Sequence, residues 1–370
     1  MKRIIIFLGL IIWFSTFDAY AAAGGVTIDE NVKNQVGKSF EVIEEDLGDI
    51  DVSGLLDRLS KGDFSIDKKG AFDGIKEMIL KSFRNSYGFF FRLLLIILLV
   101  AAAESINADG GMGNAVRLLC AAVISVNMIG IFSEISDYCI SVTDKLVLFI
   151  NSLIPVLIAL VAAGGNVSAA GMLNPIMLGA SSVVSVAVRA VILPLIFVGF
   201  SFRASGAVTG KKHIAELGSQ VFSLVKWCTG LVMTVYIGII TIIGTSAPHV
   251  DEVTLKTAKY AVSSFVPYVG GMLTDSVELV LNCSNVVKNS VGILGLIGIV
   301  AVAAVPCISI AVKSVLLGIL SVVSAPVTDS KTHSVIKEVS SCVNTILGMM
   351  TVVCVMYIVS VTVIIFVGGA

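Results

Sequence analysis

Residues 172–200 read MLNPIMLGASSVVSVAVRAVILPLIFVGF, an apolar run broken by a single charge, Arg189. A helix needs about 20 residues to cross the hydrocarbon of a bilayer, so this run is long enough to span one. Strands of a membrane barrel would alternate apolar and polar residues, and the run does not. With lipid around it the backbone must satisfy its own hydrogen bonds, which makes the segment a helix.

Working outward, comparable apolar runs occupy residues 87–103, 115–133, 141–163, 219–244, 289–327 and 342–368. The run 289–327 exceeds one span, and Pro306 and Lys313 are the points that divide it in two. Residues 261–282 are interrupted by Pro267, Gly270, Gly271, Asp275 and Glu278 and read as an interfacial or re-entrant helix. The expected fold is all-α: a polytopic integral membrane helical bundle of about six to eight spans over residues 86–370. Composition agrees. The 370 residues are 56% hydrophobic and only 14% charged, with a mean hydropathy of +0.98. Soluble domains carry about 25% charged residues. A soluble enzyme and a disordered chain are excluded, and a net charge of −1 leaves no basic footprint for nucleic acid.

Residues 1–23 carry the parts of a signal peptide: Lys2 and Arg3, the apolar run Ile4–Phe17, then Ala19-Tyr20-Ala21 before Ala22 and Ala23. The expected next segment, residues 24–85, is exported, acidic and amphipathic-helical. Val32, Val36, Phe40, Ile43 and Leu47 recur at helical spacing, as do Phe72, Ile75, Ile79 and Phe83. Those apolar faces rest on the membrane surface, on the rest of the chain or on a partner. Lys81, Arg84 and Arg92 flank the outer start of the first span and Glu104 and Asp109 its inner end, against the positive-inside rule. The ordered parts of the signal outweigh that count.

Two blocks resemble each other. Val184–Ile196 (VSVAVRAVILPLI) aligns with Ile308–Leu320 (ISIAVKSVLLGIL), with Arg189 opposite Lys313. Upstream, Thr143–Asn151 faces Thr274–Asn282; downstream, Lys211-Lys212-His213 faces Lys331-Thr332-His333. Residues 138–244 and 268–366 are thus candidate repeats, inverted or parallel. Inverted repeats build transporters around a pseudo-two-fold axis.

Arg189 and Lys313 are the candidate pathway residues, because a charge at the centre of an isolated span costs roughly 2.5–3.5 kcal/mol and needs a polar surrounding. The alternatives are pairing with Asp144, Asp275 or Glu278, or snorkelling to the interface. Asp144 and Asp275 follow threonines in positions suited to helix capping. Asn151 and Asn282 are candidates for bonds across helices. Gly292, Gly295 and Gly298 permit close helix packing. Catalytic, cofactor and metal residues are expected to be none. The seven cysteines form no CxxC pair, and the histidines form no HExxH.

The whole layout resembles the stage III sporulation protein AE family of endospore-forming bacteria. The resemblance rests on MKRIIIFLGLIIWFSTFDAYAAA (1–23), the short acidic segment after it, MLNPIMLGASSVVSVAVRAVILPLI (172–196) and SGAVTGKKHIAELGSQVFSLVKW (205–227). It implies a role in endospore formation as the large polytopic subunit of a channel complex resembling a secretion apparatus. That complex lies in the mother-cell membrane around the forespore and maintains late forespore gene expression. The implied partners are an ATPase, other small membrane proteins, ring-forming proteins and a forespore membrane protein. The competing reading is a stand-alone secondary transporter with internal repeats.

Overall fold

The computed structural model describes residues 30–41, 54, 56, 58, 68–106, 111–265 and 270–367; the side chains of 68–75, 77, 104–106, 111–114, 117, 118, 243–265 and 270–283 lie outside that description. The signal region 1–23 lies outside it too. The described residues are helical: α1 (Glu30–Glu41), α2 (Lys68–Ile106), α3 (Gly111–Ala163), α4 (Val167–Val186), a π-helical segment (Ala187–Ile192), α5 (Leu193–Thr209), α6 (Lys212–Phe265), α7 (Gly270–Ser324) and α8 (Ser330–Phe366). Six stretches are long and apolar enough to cross a membrane: Met78–Ala103, Leu119–Ala163, Val167–Thr209, Lys212–Ile242, Ser284–Ser324 and Ser330–Phe366.

Two expected breaks are absent. The runs 115–133 and 141–163 belong to one helix, α3. The intervening SEISDYCISVTDK (133–145) holds no proline or glycine. Its charged residues lie on one side of the helix, while Ile135, Cys139, Val142 and Thr143 stay buried on the other. The dip in hydropathy marks a polar face, not a turn. Likewise 289–327 is not divided, because Pro306 sits inside the continuous α7 and Lys313 finds a carboxylate there. The stretch 261–282 is split between the end of α6 and the start of α7. Helix α2 crosses the 85/86 border without interruption.

The run 167–209 is continuous but widens before Pro194. A proline cannot donate to the carbonyl four residues back, and its ring crowds that carbonyl. The ladder upstream opens to π geometry, with the Leu193 amide donating to the Val188 carbonyl. Arg189 lies inside that segment.

Close contacts at glycines set the packing. A Cβ at Gly292 would meet Ile365 of α8, at Gly295 Leu153 of α3, and at Gly298 Phe149 of α3, each at 2.3–2.4 Å. Three-residue spacing rotates successive glycines around α7, so one helix approaches two neighbours closely. The α5/α6 hairpin turns at Gly210, whose φ of +72° suits a residue without Cβ, and packs Gly206 against the Ala215 backbone.

The α7/α8 hairpin turns beside the α5/α6 hairpin. Gly210 and Lys212 of one turn and Asp329 and Lys331 of the other line one cavity. The two hairpins therefore run in the same direction. Residues 184–196 and 308–320 hold corresponding places in their first arms. The upstream blocks do not correspond. A reversal at Gly164–Asn166 separates 143–151 from 184–196, whereas 274–282 and 308–320 share α7.

Helix α1 lies on the bundle. Val36 and Phe40 are buried, the Phe40 ring meets Phe149 edge-on at 5.2 Å between centroids, and Ser39 Oγ donates to the Ser152 carbonyl at 3.0 Å. The rest of the chain thus receives this part of the amphipathic face. Ile43 and Leu47 lie outside the described residues.

Candidate functional site: charged pairs along a central helix

Helix α3 packs against α1, α2, α4, α7 and α8. Both charges singled out in the sequence reach it. Arg189 forms an ion pair with Asp144, one of the alternatives left open above. Asp144 stands in mid-helix, so it is not an N-cap, and the neighbouring Thr143 hydroxyl donates within the same helix to the Cys139 carbonyl. Lys313 pairs instead with Glu134, at 2.7 Å between Nζ and Oε1, and its ammonium lies 5.8 Å from the Phe89 ring centroid. The aligned cations of the two hairpins therefore meet carboxylates on the same helix, ten residues apart, or about 15 Å.

These pairs are not sealed. The Glu134 and Arg189 side chains are 64% and 56% exposed, and Asp144 is 38% exposed. Each pair is worth little in stability where water reaches it. In lipid the same exposure would be costly. The geometry calls for polar surroundings beside the middle of α3.

Asn151 makes the expected contact across helices: its Oδ1 accepts from Ser181 Oγ at 2.6 Å, linking α3 to α4. The Tyr236 hydroxyl and Ser360 Oγ lie 2.6 Å apart, linking α6 to α8. Asp275 and Asn282 belong to α7, and their side chains are outside the described residues.

A second charged cluster was not anticipated. Arg203 of α5 pairs with Glu338 of α8 at 2.7 Å, reaches Ser341 Oγ at 3.5 Å, and sits 5.2 Å from the Phe222 ring centroid. The pair borders the cavity between the hairpin turns, which has a volume near 480 Å³. Lys288 was missed as well. It is fully buried, and its ammonium donates to the Val367 carbonyl at 2.6 Å. Both cations fall near the ends of apolar runs, where a lysine or arginine gives no distinctive signal.

Ser324 Oγ and His333 Nδ1 lie 3.0 Å apart across the α7/α8 turn. Ser324 is fully buried and its hydroxyl also lies 2.9 Å from the Ser321 carbonyl, so the contact closes a turn. Among the described residues no three His, Cys, Asp or Glu side chains gather as a metal site. Cys120, Cys139, Cys307, Cys342 and Cys354 are buried and not joined in disulfides.

The family described as stage III sporulation protein AE matches residues 50–368. Stage III sporulation protein AE of Bacillus subtilis (strain 168) is 26% identical over 247 residues, which is 67% of this chain. The aligned part spans 62% of that relative's length. No solved structure matches the chain.

Proposed function

The chain belongs to the stage III sporulation protein AE family, and from that premise we propose that it is a non-enzymatic, multi-pass subunit of a sporulation channel complex. The complex resembles a secretion apparatus. It links mother cell and forespore, and endospore development and late forespore gene expression depend on it. The subunit sits in the mother-cell membrane around the forespore, with residues 24–85 in the intermembrane space. Its partners are an ATPase, ring-forming proteins and a forespore membrane protein.

The observation that carries this reading is the exposed Glu134–Lys313 and Asp144–Arg189 pairs at mid-length of a candidate membrane span. Charges in that position mark pathways or contacts with other subunits. Orientation also has support. Helix α3 starts at the end that holds the two hairpin turns, and four residues join it to α2. A chain whose segment before α2 is exported has those turns in the cytoplasm. They carry Lys211, Lys212 and Lys331, as the positive-inside rule asks.

Affinity capture of the full chain from sporulating cells, followed by mass spectrometry, tests the reading. A channel subunit brings down the ATPase and ring-forming proteins and is inert alone in liposomes. Ion-coupled uptake by the purified chain alone, with no partner captured, would establish the transporter alternative.

A further inference from the structure

Helix α3 carries a polar strip whose ends are defined. Asn127, Glu134, Asp137, Ser141, Asp144 and Lys145 fall on one side of the helix, Asn127 two turns before Glu134 and the others about a turn or less apart, and all six side chains are exposed or half-exposed. Ile124, Met128, Ile131, Ile135, Cys139, Val142 and Leu146 are buried on the opposite side. The strip stops at apolar residues in both directions, at exposed Val123 and Val126 before it and exposed Leu148 after it. From Asn127 to Lys145 it measures about 27 Å at 1.5 Å per residue, close to the ~30 Å thickness of a bilayer's hydrocarbon. It lies within the candidate span Leu119–Ala163.

The strip's edges are built. Lys313 of α7 reaches one carboxylate, and Arg189, in the π-helical segment, reaches another. Intramembrane π-helix and intramembrane charge both tend to occur where a protein does work. Because these cations come from the same chain, Glu134 and Asp144 do not need a charged partner from outside. Asn127 already donates to the Val123 carbonyl, but the exposed carboxylates of Glu134, Asp137 and Asp144 want a polar medium beside them, which lipid cannot give and water can.

We propose that this face of α3 lines a water-filled passage across the membrane, closed on its far side by other subunits of the complex. The proposal rests on the channel-subunit reading and names the wall of the channel. Both signs of charge lie along the strip, so the passage suits small hydrophilic solutes with weak preference for charge.

The test uses the full chain in sporulating cells. Cys228 and Cys283 are replaced by serine, and single cysteines are introduced by Asn127→Cys, Asp137→Cys and Ser141→Cys. Leu231→Cys on an exposed apolar face and Ile135→Cys in the core serve as controls. Labelling by a membrane-impermeant cationic methanethiosulfonate should be at least about tenfold faster at the three strip positions than at either control, because only a hydrated thiolate reacts. Reaction of the strip positions with a membrane-permeant maleimide alone would mean that no continuous water path brings the impermeant cation to them and would overturn the proposal. Reaction with neither reagent would mean a protein seal and would overturn it too. Serine is close in size to the half-buried Cys228, and the strip cysteines stand at exposed or half-exposed positions, so misfolding does not blur the outcome. Partner capture is read from the same cells. Lost capture with intact labelling sinks the channel-subunit reading, whereas intact capture with unlabelled positions sinks the passage alone.

Discussion

Replacing Gly298 with alanine should loosen α1 from the bundle. The new methyl carbon would lie 2.4 Å from Phe149 Cζ, 2.9 Å from Phe149 Cε1 and 3.1 Å from Phe40 Cε1. Phe149 is fully buried and cannot swing away, so the overlap is an overpacked core, which costs about 1–3 kcal/mol. Alanine regains about 0.5–1 kcal/mol of helix propensity relative to glycine. The net penalty is about 1–2 kcal/mol. Helix α1 is the smallest element at this junction and is held by Val36, Ser39 and Phe40, so it yields first. A penalty of that size raises the detached fraction roughly 5–30-fold. Trypsin cleavage after Lys33 and Lys38 in detergent should accelerate by the same factor, provided that reclosing outpaces cleavage. Gly318→Ala is the control, because nothing lies within 4 Å of its added carbon. Adding Phe149→Leu to Gly298→Ala removes the clashing ring atoms and should bring cleavage most of the way back. Equal cleavage rates for Gly298→Ala and Gly318→Ala would refute the docking of α1 against Phe149.

Two further perturbations have signs fixed by the structure. Arg203→Leu leaves the largely buried Glu338 carboxylate without its cation and should lower stability in detergent by about 1–3 kcal/mol, measured by thermal unfolding. Arg203→Lys should recover only part of this, since a lysine reproduces neither the reach to Ser341 nor the stacking on Phe222. Deleting residues 367–370 strips the fully buried Lys288 of its recorded acceptor and should destabilise the chain, while Lys288→Met in the truncated chain should restore part of the loss. An additive penalty in the double variant would contradict that account.

Much of the architecture was legible because long apolar runs with few charges have one solution in lipid. The glycine series 292, 295, 298 was legible for a similar reason: small residues at short spacing mark close approach, and each contacts a large side chain across a helix boundary. The length of α3 was not. Hydropathy averaged along the chain fell at residues 133–145 and imitated a loop, although Ile135, Cys139, Val142 and Thr143 face the core. Arg189 and Lys313 stood out as charges in apolar surroundings, but Glu134 did not, since it sits where an apolar run ends. The pairing of Arg203 with Glu338 depends on two hairpins lying side by side, and neither local sequence encodes that. The matching of 143–151 to 274–282 failed because similar short blocks do not reveal a chain reversal at Gly164–Asn166.

A shaft keyed at two heights cannot rotate or slide in its housing without shearing both keys together. Helix α3 is keyed in this way, by Arg189 from one hairpin and Lys313 from the other. Slippage by one helical turn, about 5.4 Å, would misalign both pairs at once. A twist of one hairpin relative to the other would have to break both keys together with the direct Arg203–Glu338 and Tyr236–Ser360 links, so the two hairpins and the rod between them move as one body.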